Sequence, residues 1–443
     1  MRAEKRKKYI AILMASVLVL TVPLVWVRAF FAADELTIHD YADLPEWKTL
    51  ITTQNGDVIY QDGCVAPELY GNLVGRPNAS KEGNVIVNSI TGCYAADMVP
   101  HSINPVSGVA GLEEADLEQL QTTLLSDAAH RAVQDAFDSH NGACAAYNYV
   151  TGEVYMLLSL PSGISLDKSA PAGSLSNICT SNRCSPGSTM KLIASICAAE
   201  QGIDPNFIHN CTGKLTLPDG STVKCHKTSG HGKLDLEDAI GLSCNTYMAA
   251  LIQKFDTAKA QETLRKLGFL LNGEQSDSLG SVSKLTYLYS RTTFTTTQEF
   301  KSVWGLIGQG ETLVNPLHML TIIGAIAGGG QTAAPYLVER IGTAEDVYFQ
   351  AGDAGMLTLI DSQTASAVAN HWRTATQKHY KVNERFTMLK TGTAEVNNST
   401  NRLLMGVIED CNTVFYISVS DTSGKEIYNI ANALLEALPQ NNA

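Results

Sequence analysis

A serine and a lysine three residues apart, Ser188 and Lys191, stand in the stretch Ser185-Pro186-Gly187-Ser188-Thr189-Met190-Lys191. Pro and Gly ahead of the apolar run 192–199 predict a helix that opens at the serine and stops near Gly202. On such a helix Lys191 lies one turn beyond Ser188, on the same face. A hydroxyl with an amine one turn away is a nucleophile beside its base. The helix N-terminus adds unpaired N–H groups and a positive dipole end, both suited to an oxyanion. An unperturbed lysine is protonated at neutral pH, so this pairing requires burial or a second cation to lower its pKa.

Alone the pair is a weak signal, because a chain this long holds about one or two Ser-x-x-Lys matches by chance. Two later stretches change the odds. Ser243-Cys244-Asn245 follows, and then Lys390-Thr391-Gly392-Thr393. A Lys-Thr-Gly arises by chance about once in ten such chains. Ser-x-x-Lys, Ser-x-Asn and Lys-Thr-Gly, in that order, are the active-site elements shared by penicillin-binding proteins and serine β-lactamases. Pro-Gly-Ser-Thr-Met-Lys (186–191), Ser-Cys-Asn-Thr (243–246), Gly-Gln-Gly-Glu (308–311), Asn-Pro-Leu-His-Met (315–319) and Lys-Thr-Gly-Thr-Ala-Glu (390–395) extend the likeness. From about residue 120 onward the chain resembles the monofunctional, class B-like D,D-transpeptidases among the penicillin-binding proteins. Met190 stands where that family usually has Phe.

The resemblance implies acyl transfer in two halves. Ser188 attacks an amide carbonyl, and an amine or water then takes the acyl group. Lys191 is the base, with Lys390 as the second cation that lowers its pKa. Ser243 relays a proton to the leaving nitrogen, and Asn245 holds the substrate backbone and Lys191. Thr391 and Thr393, with Gly392 between them, bind the substrate's terminal carboxylate. The N–H groups of Ser188 and Thr393 form the oxyanion hole. The implied substrate is the D-Ala-D-Ala end of a peptidoglycan stem peptide, with β-lactams acylating the same serine and no cofactor in the chemistry. Competing readings are a D,D-carboxypeptidase, a class D-like β-lactamase or β-lactam sensor, and a catalytically silent cell-wall scaffold. Cys244 stands where class A lactamases have Asp, Asn245 where class D enzymes have Val, and all five reactive residues are present.

Cys211, Cys225, His231 and Cys244 cluster around the Ser-x-Asn element. Three thiols and an imidazole make a full tetrahedral zinc set, which would be structural and fix that loop. It resembles a metal site in some elongation-type members of the family. The other reading is a Cys211–Cys225 disulfide with Cys244 free, which an oxidising compartment favours. Cys179 and Cys184 bracket a short loop and are a second candidate bridge.

These residues need a scaffold. The 443-residue chain has room for one large domain and a smaller one. A net charge of −12 gives no electrostatic support to nucleic-acid binding. Arg2, Lys5, Arg6, Lys7 and Lys8 precede the uncharged run 9–27, which is long enough to span a bilayer as a helix. The basic flank stays cytoplasmic and places the rest outside. A cleaved signal peptide ending near Ala32-Ala33 is the competing reading. The expected division is 1–33 tail and anchor, 34–125 a small α+β pedestal, and 126–443 the transpeptidase domain, with no room for a separate glycosyltransferase domain. Residues 112–120 read as an acidic helix and 274–299 as a polar, Thr-rich surface excursion. Strands at both ends of 126–443 with helices between them make it α+β. The family fold is an antiparallel sheet against a helical subdomain. In it the Ser188 helix lies between the two and Lys390-Thr391-Gly392 on the edge strand.

Overall fold

The computed structural model describes residues 49–61, 68–75, 89–94, 103–104, 108–109, 118–162, 173–174, 176–275, 280–282, 285–343, 346–396, 399–422 and 424–439. The run 9–27, expected to cross a membrane, lies outside the described residues. Among the described residues no helix is long and apolar enough to do so.

Five strands form the sheet that carries the site. They are β1 (Gly142–Asn148), β2 (Val154–Leu160), β3 (Met388–Val396), β4 (Ser399–Ile408) and β5 (Thr413–Ser420). Their order is β3-β4-β5-β1-β2, antiparallel throughout. Residues from both ends of the catalytic region therefore close one sheet, and β3 is left as an edge. An unpaired edge exposes backbone N–H and C=O groups. Here those of Leu389 and Thr391 are taken up by side chains.

Seven of the helices among the described residues position the site or cover the sheet. They are α1 (Asp127–Ala136), α2 (Met190–Glu200), α3 (Leu236–Gly241), α4 (Asn245–Ile252), α5 (Pro316–Ala327), α6 (Ser362–His379) and α7 (Glu426–Ala437). Helices α1 and α7 pack together on one side of the molecule, where Ile427, Ile430 and Leu434 are buried. Ser126 caps α1 by accepting from the Ala129 N–H, as its position before an apolar face predicts. Helix α2 is buried on every face from Met190 to Ala198, the pattern of a helix inside a domain. It packs against α6 and α4.

A second five-stranded sheet joins Thr49–Thr52, Val58–Gln61 and Glu118–Thr122 to Val338–Gly342 and Val347–Gln350. It unites strands from either side of residue 126. The described end of the stretch expected as an acidic helix, Glu118–Thr122, is thus a strand. It pairs in parallel with Thr49–Thr52 and antiparallel with Val338–Gly342. Long-range pairing on both edges overrides the local helical preference.

The Thr-rich excursion also differs from expectation, since Leu285, Tyr287, Ser290, Thr292 and Phe294 are buried. Their polar groups are satisfied internally. Ser290 Oγ lies 2.7 Å from His318 Nδ1, and the Thr292 and Thr312 hydroxyls are 3.1 Å apart. Hydroxyls with partners can be buried at little net cost. Cys179 and Cys184 are free thiols. Cys179 Sγ points to the carbonyl of Leu158 at 3.5 Å, and Cys184 Sγ lies 3.0 Å from the Tyr416 hydroxyl.

Candidate active site

Ser188 occupies a 3₁₀ turn, Gly187–Thr189, that runs directly into α2. The turn is pinned by Thr189 Oγ1 donating to the Pro186 carbonyl at 2.7 Å. Lys191, one turn on, is fully buried. Its Nζ is 2.5 Å from Ser188 Oγ, 2.8 Å from Asn245 Oδ1 and 3.3 Å from Ser243 Oγ. Asn245 opens α4 and donates from Nδ2 to the Lys224 carbonyl at 3.0 Å, which fixes its amide.

Ser243 lies between α3 and α4 with φ of 56°. A non-glycine residue in that left-handed region stores about 1 kcal/mol or more. The sharp turn aims its hydroxyl at both lysines, since Lys390 Nζ is 3.2 Å from Ser243 Oγ. Helix α3, which leads into the turn, is capped by Asp235. Asp238 ties it to the end of α6 through Lys378 at 2.5 Å and His379 at 3.0 Å.

Lys390 comes from the edge strand β3, is fully buried, and also donates to the Thr391 carbonyl at 2.7 Å. The rest of that edge is tethered by α6 and the residue after it. Leu389 N–H donates to Thr376 Oγ1 and Thr391 N–H to the Tyr380 hydroxyl, while Trp372 Nε1 donates to the Leu389 carbonyl. Alternate residues of an edge strand turn their amides outward. The same alternation turns the Thr393 amide outward, toward the Ser188 turn. A Cβ on Gly187 would sit 2.9 Å from that nitrogen. Gly392 lets the strand lie against the turn, because a Cβ there would be 2.9 Å from the Pro186 carbonyl oxygen.

Burial lowers the Lys191 pKa from the usual lysine range to about 7, with the Cys244 and Cys225 thiols pulling it back up. Lys390 is pushed well below its usual value by burial, then by the charge of Lys191. Of the two causes the sequence allowed at Lys191, burial is the leading one. The arrangement can take a proton from Ser188 Oγ onto a neutral amine at neutral pH and pass it through Ser243.

Sequence reasoning missed three residues. Tyr380 holds Thr391 through both its amide and its hydroxyl, the latter at 3.1 Å. Arg402, opposite Thr393 in the β3–β4 register, donates from Nη1 to Thr393 Oγ1 at 2.9 Å. It has no carboxylate partner among the described residues, so a cation stands beside the hydroxyls expected to hold a carboxylate. Gln309 donates to the Thr393 carbonyl at 3.2 Å. The Gly-Gln-Gly motif was the only sequence signal for any of these contacts.

Cys211, Cys225, His231 and Cys244 present their ligand atoms within 4.8 Å of one another. None of the three cysteines is in a disulfide. Two short hairpins bring them together, His209–Cys211 with Gly232–Leu234 and Lys214–Thr216 with Thr222–Lys224. Cys225 Sγ lies 3.9 Å from Cys244 Sγ and 3.4 Å from His231 Nδ1, which is 3.7 Å from Cys211 Sγ. A tetrahedron with metal–sulfur bonds of about 2.3 Å has edges of about 3.8 Å. Those separations fit it, whereas a disulfide needs sulfurs about 2 Å apart.

Fold and site together define a serine-nucleophile, lysine-base arrangement of the acyl-transfer type. The family model for the penicillin binding protein transpeptidase domain matches residues 142–438, and the chain belongs to that family. Among solved structures it is similar to the D,D-transpeptidase domain of a peptidoglycan glycosyltransferase from Eggerthella lenta. That pair has a TM-score of 0.71 and 21% identity, with 88% of this chain and 97% of that one covered. It is also similar to PBPA from Mycobacterium tuberculosis, with a TM-score of 0.70, 20% identity and coverage of 89% and 99%. For Pseudomonas aeruginosa PBP2 the figures are 0.65, 18%, 89% and 95%.

Proposed function

We propose that the chain is a D,D-transpeptidase that cross-links peptidoglycan stem peptides through an ester on Ser188. The observation that carries this is the position of buried Lys191, within hydrogen-bonding reach of Ser188, Ser243 and Asn245 at once. Neutral Lys191 takes the Ser188 proton as Oγ attacks the penultimate D-Ala carbonyl. The oxyanion meets the Ser188 and Thr393 amides. Ser243, held between the two lysines, delivers a proton to the leaving nitrogen. Thr391 and Thr393 hold the terminal carboxylate, with Gly392 between them. β-Lactams acylate the same serine. PBPA of Mycobacterium tuberculosis is known as acyl-enzyme complexes with ceftriaxone, penicillin G and imipenem, and this supports the reading for a chain of the same fold. The test is covalent: a β-lactam should form a long-lived ester on Ser188 and nowhere else.

Residues 126–443 carry the chemistry, 34–125 form the pedestal, and the basic tail with the run 9–27 anchors the chain in the cell membrane with the site outside. The chemistry needs no cofactor. Cys211, Cys225, Cys244 and His231 would hold a structural zinc ion. Cys244 immediately follows Ser243, so the ion would fix the loop that aims the Ser243 hydroxyl. Elemental analysis of the purified chain should find about one zinc per molecule. Cys225→Ser should lose the metal and lower Tm by about 5 °C or more. A metal-free chain with an alkylation-resistant Cys211–Cys225 disulfide would reverse this assignment.

A further inference from the structure

Thr391 and Thr393 stand two residues apart on β3, so their side chains share one face of the edge strand. Both are half-buried, while Gly392 between them is buried. Each hydroxyl has a side-chain neighbour within hydrogen-bonding distance. Arg402 Nη1 donates to Thr393 Oγ1 at 2.9 Å, and the Tyr380 hydroxyl lies 3.1 Å from Thr391 Oγ1. A guanidinium has no acceptor, so Thr393 Oγ1 must accept there, and its own proton points elsewhere. A phenol and a threonine hydroxyl can each donate or accept. At Tyr380 a second contact decides between the two. The Thr391 N–H donates to the same phenol oxygen at 3.2 Å. Among the described residues the phenol's single proton then has one acceptor in reach, Thr391 Oγ1. A hydroxyl that accepts while it donates is also the stronger donor.

The geometry points to Tyr380 as a positioning residue that turns the Thr391 hydroxyl into a donor, and so makes the paired threonines select a carboxylate. The inference rests on the acyl-transfer reading above, in which both threonines meet the substrate's terminal carboxylate. An ionised carboxylate only accepts. With Tyr380 and Arg402 each donating to a threonine oxygen, both threonine protons remain for the ligand. An ester in the carboxylate's place would offer the same two donors uncharged and weaker acceptors. Tyr380 is held in place by its own element. It is the C-cap of α6, with its N–H on the Thr376 carbonyl at 2.9 Å. Asp238 pairs with Lys378 and His379, the two residues before it. The phenol thus projects from a tethered helix end onto the edge strand, and its two contacts fix both the backbone and the hydroxyl of Thr391.

The test uses the full chain with penicillin G and penicillin G methyl ester, which differ only at the carboxylate. Acylation of Ser188 is followed at rising drug concentration for the parent, Tyr380→Phe, Thr391→Val and the double variant, with a thermal melt of each. Tyr380→Phe should slow acylation by dilute penicillin G about tenfold, the scale of one hydrogen bond to a charged group. The loss should lie in binding, with the saturating rate and the ester nearly unchanged. In the Thr391→Val background Tyr380→Phe should cost nothing more, because the hydroxyl it sets is gone. Equal slowing of acid and ester, a fall confined to the saturating rate, or additive costs in the folded double variant would reduce Tyr380 to a structural support and overturn the inference. A parent that does not favour the acid over the ester would overturn it too. All of these outcomes leave Ser188 acylated and the acyl-transfer reading standing. A parent that takes no drug on Ser188 would overturn both.

Discussion

Replacing Lys191 by Ala should slow acylation of Ser188 by a β-lactam about a thousandfold, the scale of a lost general base. Lys191→Arg should fare no better, because guanidinium stays charged at any working pH. The direction of the pKa shift adds a second readout. Burial disfavours the charged amine and brings it to about 7. Below that pH Lys191 is protonated and cannot accept the Ser188 proton. The acylation rate should therefore rise as pH increases through about 7 and level off above it. Stopped-flow labelling across pH 5.5–9 checks this. A flat profile, or a Lys191→Ala variant within tenfold of the parent, would remove Lys191 from the base role.

Gly308→Ala should cost nearly as much without touching a reactive group. Gly308 has φ of 99°, and a Cβ there would lie 1.7 Å from the Gly187 carbonyl oxygen. Backbone sits on both sides of that contact, so no side chain can swing away. The Ser188 turn must shift, and a misplacement of about 1 Å costs about a hundredfold in rate. The strained φ adds about 1–3 kcal/mol of instability. Gly329→Ala is the control, since it also has positive φ but opens on empty space. It should lose some stability and keep its acylation rate. Melting temperatures and labelling rates of the two variants separate the effects. Equal labelling in both would show that the Ser188 turn does not depend on Gly308.

How much of this was legible follows from the range of the contacts. The approach of Lys191 to Ser188 needs one helical turn, and the Pro-Gly start gives that helix away locally. Ser243, Asn245 and Lys390 could be placed beside them only through the order of the family's motifs. Their meeting depends on a strand from the far end of the chain closing the sheet against α2. The edge position of β3 came the same way. Tyr380 and Arg402 were not legible. One meets Thr391 only because α6 ends beside the edge strand, and the other meets Thr393 only through the exact pairing of β3 with β4. Misreadings had the same root. The acidic composition of 112–120 suggested helix, but pairing partners far from it in the chain make its described end, within Glu118–Thr122, a strand. Thr-rich 274–299 looked solvated because sequence does not show that its hydroxyls meet Thr312 and buried His318. The nearness of Cys211, Cys225, His231 and Cys244 depends on the pairing of His209–Cys211 with Gly232–Leu234 and of Lys214–Thr216 with Thr222–Lys224, whose register the sequence does not display.

The central claim is that Ser188 is the acylated nucleophile of a slowly deacylating enzyme. Intact-mass analysis of the full chain with penicillin G, followed by peptide mapping, tests it most directly. One long-lived adduct is expected, on the peptide that holds Ser188, and none on Ser188→Ala. A folded parent without an adduct, or with one on another residue, would contradict it. An adduct that turns over rapidly to hydrolysed drug would make the protein a β-lactamase instead.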